Sequence, residues 1–165
     1  MGIIGYVIVF GLVLLILSPI IAGHFKNVRK DKLLLATLKD SGSAKGLSLT
    51  MTDAWKGAYA IGIDPEKRRL IYLRKAGESI QEELEDLSAL SDCRVDITSR
   101  TEKTPNGSMT VVEAVNLIIR YSDKTLSDKK LEFFNNKVFH SLAGERTLAE
   151  KWQKKISSIL QTKNR

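Results

Sequence analysis

Apolar and polar residues follow three different patterns along this chain. From Gly2 to Gly23 there is no polar periodicity: "GIIGYVIVFGLVLLILSPIIAG" carries no ionisable side chain apart from Tyr6. Twenty such residues in a helix span about 30 Å, the thickness of a bilayer's hydrocarbon core. Next comes "KDKLLLATLKDSGSAKG", where Leu33, Leu34 and Leu38 share one side of a short helix that Ser41, Gly42, Ser43 and Gly46 bring to an end.

From Ala58 the period becomes two. "AYAIGID" and "RRLIYLRK" read as paired strands around Asp64-Pro65, residues that a type I turn favours. "ESIQEELEDL" fits either a short acidic strand running into a turn or one helical turn. "DCRVDITSR" alternates Cys93, Val95 and Ile97 with polar residues, and Asn106-Gly107 supplies a hairpin signal. "TVVEAVNLIIRY" and "KKLEFF" complete five or six antiparallel strands. The last stretch changes period again. Leu148, Ala149, Trp152, Ile156, Ile159 and Leu160 recur at helical spacing, after a Thr147/Glu150 pair spaced as a capping box. The expected fold class is therefore α+β, mainly antiparallel β, with one C-terminal helix whose core is Leu148, Trp152, Ile156 and Leu160.

The apolar run decides where the chain resides. A cleaved signal has a basic leader, a shorter apolar core and small residues at the cut. Here nothing basic precedes the run, and Ile20 and Ala22 stand where small residues are wanted. Residues 1–23 therefore read as a retained transmembrane anchor. Lys26, Arg29, Lys30 and Lys32 follow it, opposed only by Asp31. The positive-inside rule sets that flank, and the domain after it, on the cytoplasmic side of the inner membrane. The four cations become the expected membrane-surface contact, at about 1 kcal/mol each near an anionic leaflet. Residues 24–52 read as a basic juxtamembrane connector with a short helix, and 53–162 as the domain.

A net charge of +7 suggests nucleic acid until its distribution is considered. Residues 24–52 hold six basic and two acidic side chains, and 151–165 hold five basic and none acidic. Residues 53–150 hold fifteen basic against seventeen acidic. The central domain is nearly neutral, which argues against a duplex-binding stripe.

Candidate chemistry is sparse. Cys93 is the single cysteine, so no disulfide framework forms, and His24 and His140 have no partner at a catalytic or zinc-ligand spacing. No phosphate-cradling loop or nucleophile elbow appears. No cofactor, metal or catalytic residue is expected. Glu82, Glu83, Glu85 and Asp86 lack the spacing of a calcium loop. They read first as a solvated acidic edge, and otherwise as the candidate contact for a basic partner or a group that repels the membrane face and orients the domain.

"YAIGIDPEKRRLIYLR" followed by "LAEKWQKKISSIL" resembles the pleckstrin-homology-like superfold, in bacterial proteins that join such a domain to an N-terminal anchor. The resemblance implies a curled sheet or partial barrel closed by the C-terminal helix, with Trp152 buried. It does not imply a headgroup site on the hairpin, where Lys67, Arg68 and Arg69 flank a short turn. The expected function is a non-catalytic adaptor that docks a protein partner at the membrane. The alternatives are an accessory subunit of a larger membrane complex, a lipid-headgroup sensor and a membrane-bound enzyme.

Overall fold

The computed structural model describes residues 28–105 and 107–162. The anchor expected over 1–23, with Lys26 and His24, lies outside them. Among the described residues no helix is long and apolar enough to cross a membrane.

The described chain is α+β and its strands are antiparallel where paired. The described part of helix α1 covers 28–44. A four-stranded sheet in the order β1-β2-β3-β4 follows, built from Met51–Trp55, Tyr59–Asp64, Arg69–Ala76 and Ser79–Asp86. A 3₁₀ turn, Leu87–Ala89, leads to a three-stranded sheet, β5-β6-β7, from Leu90–Thr104, Gly107–Tyr121 and Lys129–Asn135. Helix α2, Glu145–Gln161, completes the order.

These elements form two compact units that interleave in sequence. One takes the chain up to Ile63 and Ile71–Glu83; the other takes Asp64–Leu70 and Leu84 onward. In the first, α1 packs on the sheet through its leucine side. Its Leu34 and Leu38 pack on Ala60, Ile71 and Leu73, with Leu47, Leu49 and Ala54 around them. Gly62 permits this approach: a Cβ there would lie 2.9 Å from Leu49 and 3.1 Å from Leu38. All six residues of β2 are buried, because its opposite face is covered too. That face carries a row of aromatics. Trp55 stands directly across from Tyr59 with ring centroids 5.4 Å apart, and Tyr59 stacks on Tyr72 at 6.5 Å. Trp55 is a core residue.

In the second unit α2 packs on β5, β6 and β7. Trp152 and Ile156 are fully buried, with Ala149 and Ile159 beside them; Leu148 and Leu160 are half-buried at the margins of the stripe. Arg68, in the β2–β3 turn, adopts a positive φ of 53°. A non-glycine residue there costs about 1 kcal/mol or more. Its guanidinium donates 2.8 Å to the carbonyl of Ile159, a cation at a helix C-terminus, and this offsets the strain.

Two local expectations change and one choice is settled. Among the described residues seven strands form rather than five or six, because Met51–Trp55 is a strand whose "MTDAW" lacks clean alternation. Of its two readings "ESIQEELEDL" takes the first, a strand running into a tight turn. Thr147 is not the helix cap: α2 begins two residues earlier after Gly144, whose φ of 96° an L side chain rarely adopts. Glu150 instead accepts from Arg146 at 2.9 Å, and the buried Glu145 carboxylate takes the Ala143 N–H.

Candidate binding groove beside the first helix

Within the first unit, α1 runs beside β4 and leaves a shallow groove. Lys30, Leu33, Leu34 and Thr37 line it from the helix, Gly57 from the β1–β2 turn, Lys75 from the end of β3 and Ile80 from β4. Each side chain is placed by a local rule. Lys30, Leu33, Leu34 and Thr37 are three and four residues apart, and so share one side of α1. Leu34 turns into the core, which leaves Leu33 at the lip, 67 % exposed. Ile80, near the start of β4, is 43 % exposed.

The β1–β2 turn forms the wall. Lys56 and Gly57 both have positive φ, 58° and 62°, as a type I′ hairpin requires, and Ala58 N–H closes the turn on Trp55 O at 3.2 Å. The Gly57 N–H donates 2.6 Å to Asp31 Oδ1, fastening the turn to α1. A Cβ at Gly57 would meet Lys30 Cβ at 2.8 Å. Gly57→Ala is therefore expected to destabilise the chain by about 2 kcal/mol, combining left-handed strain with the forced shift of Lys30. A urea midpoint unchanged from wild type would show that the helix does not hold this turn.

The far end of the seam is closed by charge. Glu82 on β4 accepts from Ser41 at 2.5 Å and pairs with Lys45 at 2.7 Å. Burial pushes the Glu82 carboxyl up, but the hydrogen bonds from Lys45 and Ser41, with the Lys45 charge, outweigh it and hold it below its ordinary value.

The groove is open, with about 300 Å³ of space that includes bulk solvent. That is the small end for a ligand pocket, and it encloses nothing. Two cations beside an exposed Leu and Ile suit a segment of something larger that is acidic and apolar. Arg29 and Lys32, also exposed, extend the positive charge along α1.

The acidic group is dispersed, not gathered into one contact face. Glu82 is committed to Lys45 and Ser41. Glu85 is buried at 4 % exposure and accepts from Tyr121 Oη at 2.6 Å and from Lys129. Asp86 caps the 3₁₀ turn through Ser88 N–H at 2.8 Å and pairs with Arg69 at 3.2 Å. Glu83 is half-buried. Period two explains this, since alternate carboxylates face opposite sides of β4.

Cys93 is buried, and burial, with the neighbouring Asp92 charge, pushes its thiol up to about 12. Such a thiol is inert as a nucleophile near neutral pH. His140 is exposed. Among the described residues no group of three His, Cys, Asp or Glu could hold a metal ion. The groove itself was hidden in the sequence: Lys75 and Ile80 lie more than forty residues from Lys30, and only the helical repeat of 30, 33, 34 and 37 was visible.

No family model, curated protein or solved structure matches the chain.

Proposed function

We propose that this chain is a membrane-tethered, non-catalytic adaptor with a pleckstrin-homology-like domain, and that its groove beside α1 takes an acidic, apolar segment of a protein partner. The observation that carries the reading is the groove's lining, Lys30 and Lys75 facing an apolar lip of Leu33 and Ile80. The domain reading is supported by element order: a four-strand meander, a three-strand meander and a closing helix. The tether reading is supported by the apolar run of 2–23 and the cations that follow. A partner confined to the same membrane surface meets a tethered domain at raised effective concentration, so a small groove suffices. An accessory subunit of a membrane complex would use the same surfaces, and its accumulation would depend on the other subunits.

The test is brief crosslinking of membranes followed by gentle solubilisation of the intact chain, a chain without residues 1–23, and a Lys30→Glu/Lys75→Glu chain. A stoichiometric partner on the intact chain is expected to fall at least about fivefold with the double reversal, since two attractive contacts become repulsive. A partner retained equally by the reversed chain would remove the groove from the interface. An intact chain that repeatedly emerges alone would end the adaptor reading.

A second reading has its own observation. Arg29, Lys30 and Lys32 are all exposed on α1, next to the exposed Leu33. That combination also suits an anionic lipid headgroup with a residue dipping into the interface. Binding of the chain lacking residues 1–23 to anionic vesicles, selective among headgroups and surviving moderate salt, would favour it.

A further inference from the structure

The hairpin of β5 and β6 is much longer than the sheet that supports it. Both strands have fifteen residues, yet β7 pairs with β6 only from Ala114 to Ile119. Beyond the register shift at Thr98/Ser99, six rungs run from Ser99 opposite Val112 to Thr104 opposite Gly107 with no third strand paired beside them among the described residues. At about 3.3 Å per residue this arm is roughly 20 Å long. An isolated two-stranded ribbon is marginal in water and gains from further strands. The β5 side is the terminal edge of its sheet. Proteins protect such edges with proline, lysine or bulges. Over Thr98–Thr104 this edge carries one lysine, Lys103, no proline, and a bulge only at its base.

The residues on that edge are self-complementary. Arg100 and Glu102 lie on the same face of β5, Arg100 exposed and Glu102 half-buried, and are paired at 2.6 Å. A second copy running antiparallel, with Thr101 opposite its own equivalent, brings Arg100 of each chain opposite Glu102 of the other. The two-fold axis makes that match twice. Neighbouring centres lose it: about Arg100, Thr101 faces Ser99 and the like charges of Arg100 face one another.

We infer that the arm is a homotypic docking element, in which the β5 edges of two copies pair antiparallel about Thr101 to make a continuous four-stranded ribbon. The outer edge of the arm's β6 segment, Ser108–Val112, offers no such charge match. Arg100 also reaches Glu113 at 3.4 Å, from the residue that the bulge leaves over, so the base of the arm holds its side chain on the pairing face.

The test uses the full chain in mild detergent with Thr101→Cys. Cys93 is buried and inert, so wild type serves as the uncrosslinked control. A pair of facing residues in adjacent strands has Cβ atoms about 4.5–5.5 Å apart, within reach of a disulfide after slight adjustment. Under mild oxidation, T101C is expected to form a covalent dimer, and T110C, on the other strand, at least about tenfold less. In the T101C background, Arg100→Glu or Glu102→Arg alone should each slow dimer formation about tenfold, because like charges then face each other twice. The double exchange R100E/E102R should restore it to within about threefold, since the match is rebuilt in reverse. Because the variants sit on an exposed arm, unchanged far-UV spectra are expected throughout. T101C dimers no more abundant than T110C dimers, or a double exchange as slow as the singles, would overturn the proposal. So would a T101C chain that stays monomeric while crosslinking to other proteins, which would give the arm to a heterologous partner.

Discussion

Replacing Trp152 with alanine is expected to cost about 3 to 5 kcal/mol, the largest effect of any single substitution in the chain. Trp152 is the largest fully buried side chain and sits midway along the α2 stripe, between the buried Ala149 and Ile156. Two contributions add: the transfer free energy of the lost indole, and the cavity that α2 and the three-stranded sheet cannot collapse to fill. Trp152→Phe should cost markedly less, because most of the volume is retained. The measurement is far-UV thermal melting, with a midpoint for W152A lowered by about 10 °C or more. Trp55, in the other unit, remains as the single tryptophan of that variant, so its fluorescence reports whether the first unit follows. A midpoint within about 2 °C of wild type would mean that α2 contributes little to the second unit's stability.

The second large effect is expected at Glu85. Its buried carboxylate joins the end of β4 to β6 through Tyr121 and to β7 through Lys129. Glu85→Ala removes two charge-assisted hydrogen bonds and leaves their donors without the acceptor they share. A cost of about 2 to 4 kcal/mol follows. Lys129 is 36 % exposed and recovers part of its hydration, which keeps the estimate below that of a fully buried pair. Glu85→Gln keeps an acceptor for Tyr121 while losing the charge, so about half the loss is expected. Urea midpoints at neutral pH give both values. An alanine variant as stable as wild type would show the carboxylate to be dispensable.

Glu85 also shows where sequence reading stops. Glu82, Glu83, Glu85 and Asp86 form one acidic run, and a run of like charge ordinarily stays at the surface. Which carboxylate is buried depends on Tyr121 and Lys129, 36 and 44 residues away, and nothing local marks them. Arg68 raises the same difficulty. In "EKRRL" it reads as one cation of three on a hairpin end, yet its guanidinium meets the last turn of α2, 91 residues on. Elements set by short-range periodicity were legible: the β2–β3 hairpin, the strands through Cys93 and Leu117, and the C-terminal stripe about Trp152. The strand Met51–Trp55 was not, because its pattern is half-buried throughout until Trp55. The helix start was misplaced because a glycine cap carries no side-chain signal, whereas Thr147 and Glu150 offered a false one. The groove could not be seen because it needs α1, the β1–β2 turn, the end of β3 and β4 together.

The interleaving of the two units bears on how the chain is made. Synthesis delivers α1, β1 and β2 first, but the first unit lacks its remaining strands until Glu83 has left the ribosome. Asp64–Leu70, which belongs to the second unit, has emerged by then and must wait for Leu84 onward. Between the emergence of Glu83 from the ribosome and that of the later strands, Asp64–Leu70 is without the rest of its unit, and incompletely folded chains of this kind are open to chaperones and aggregation.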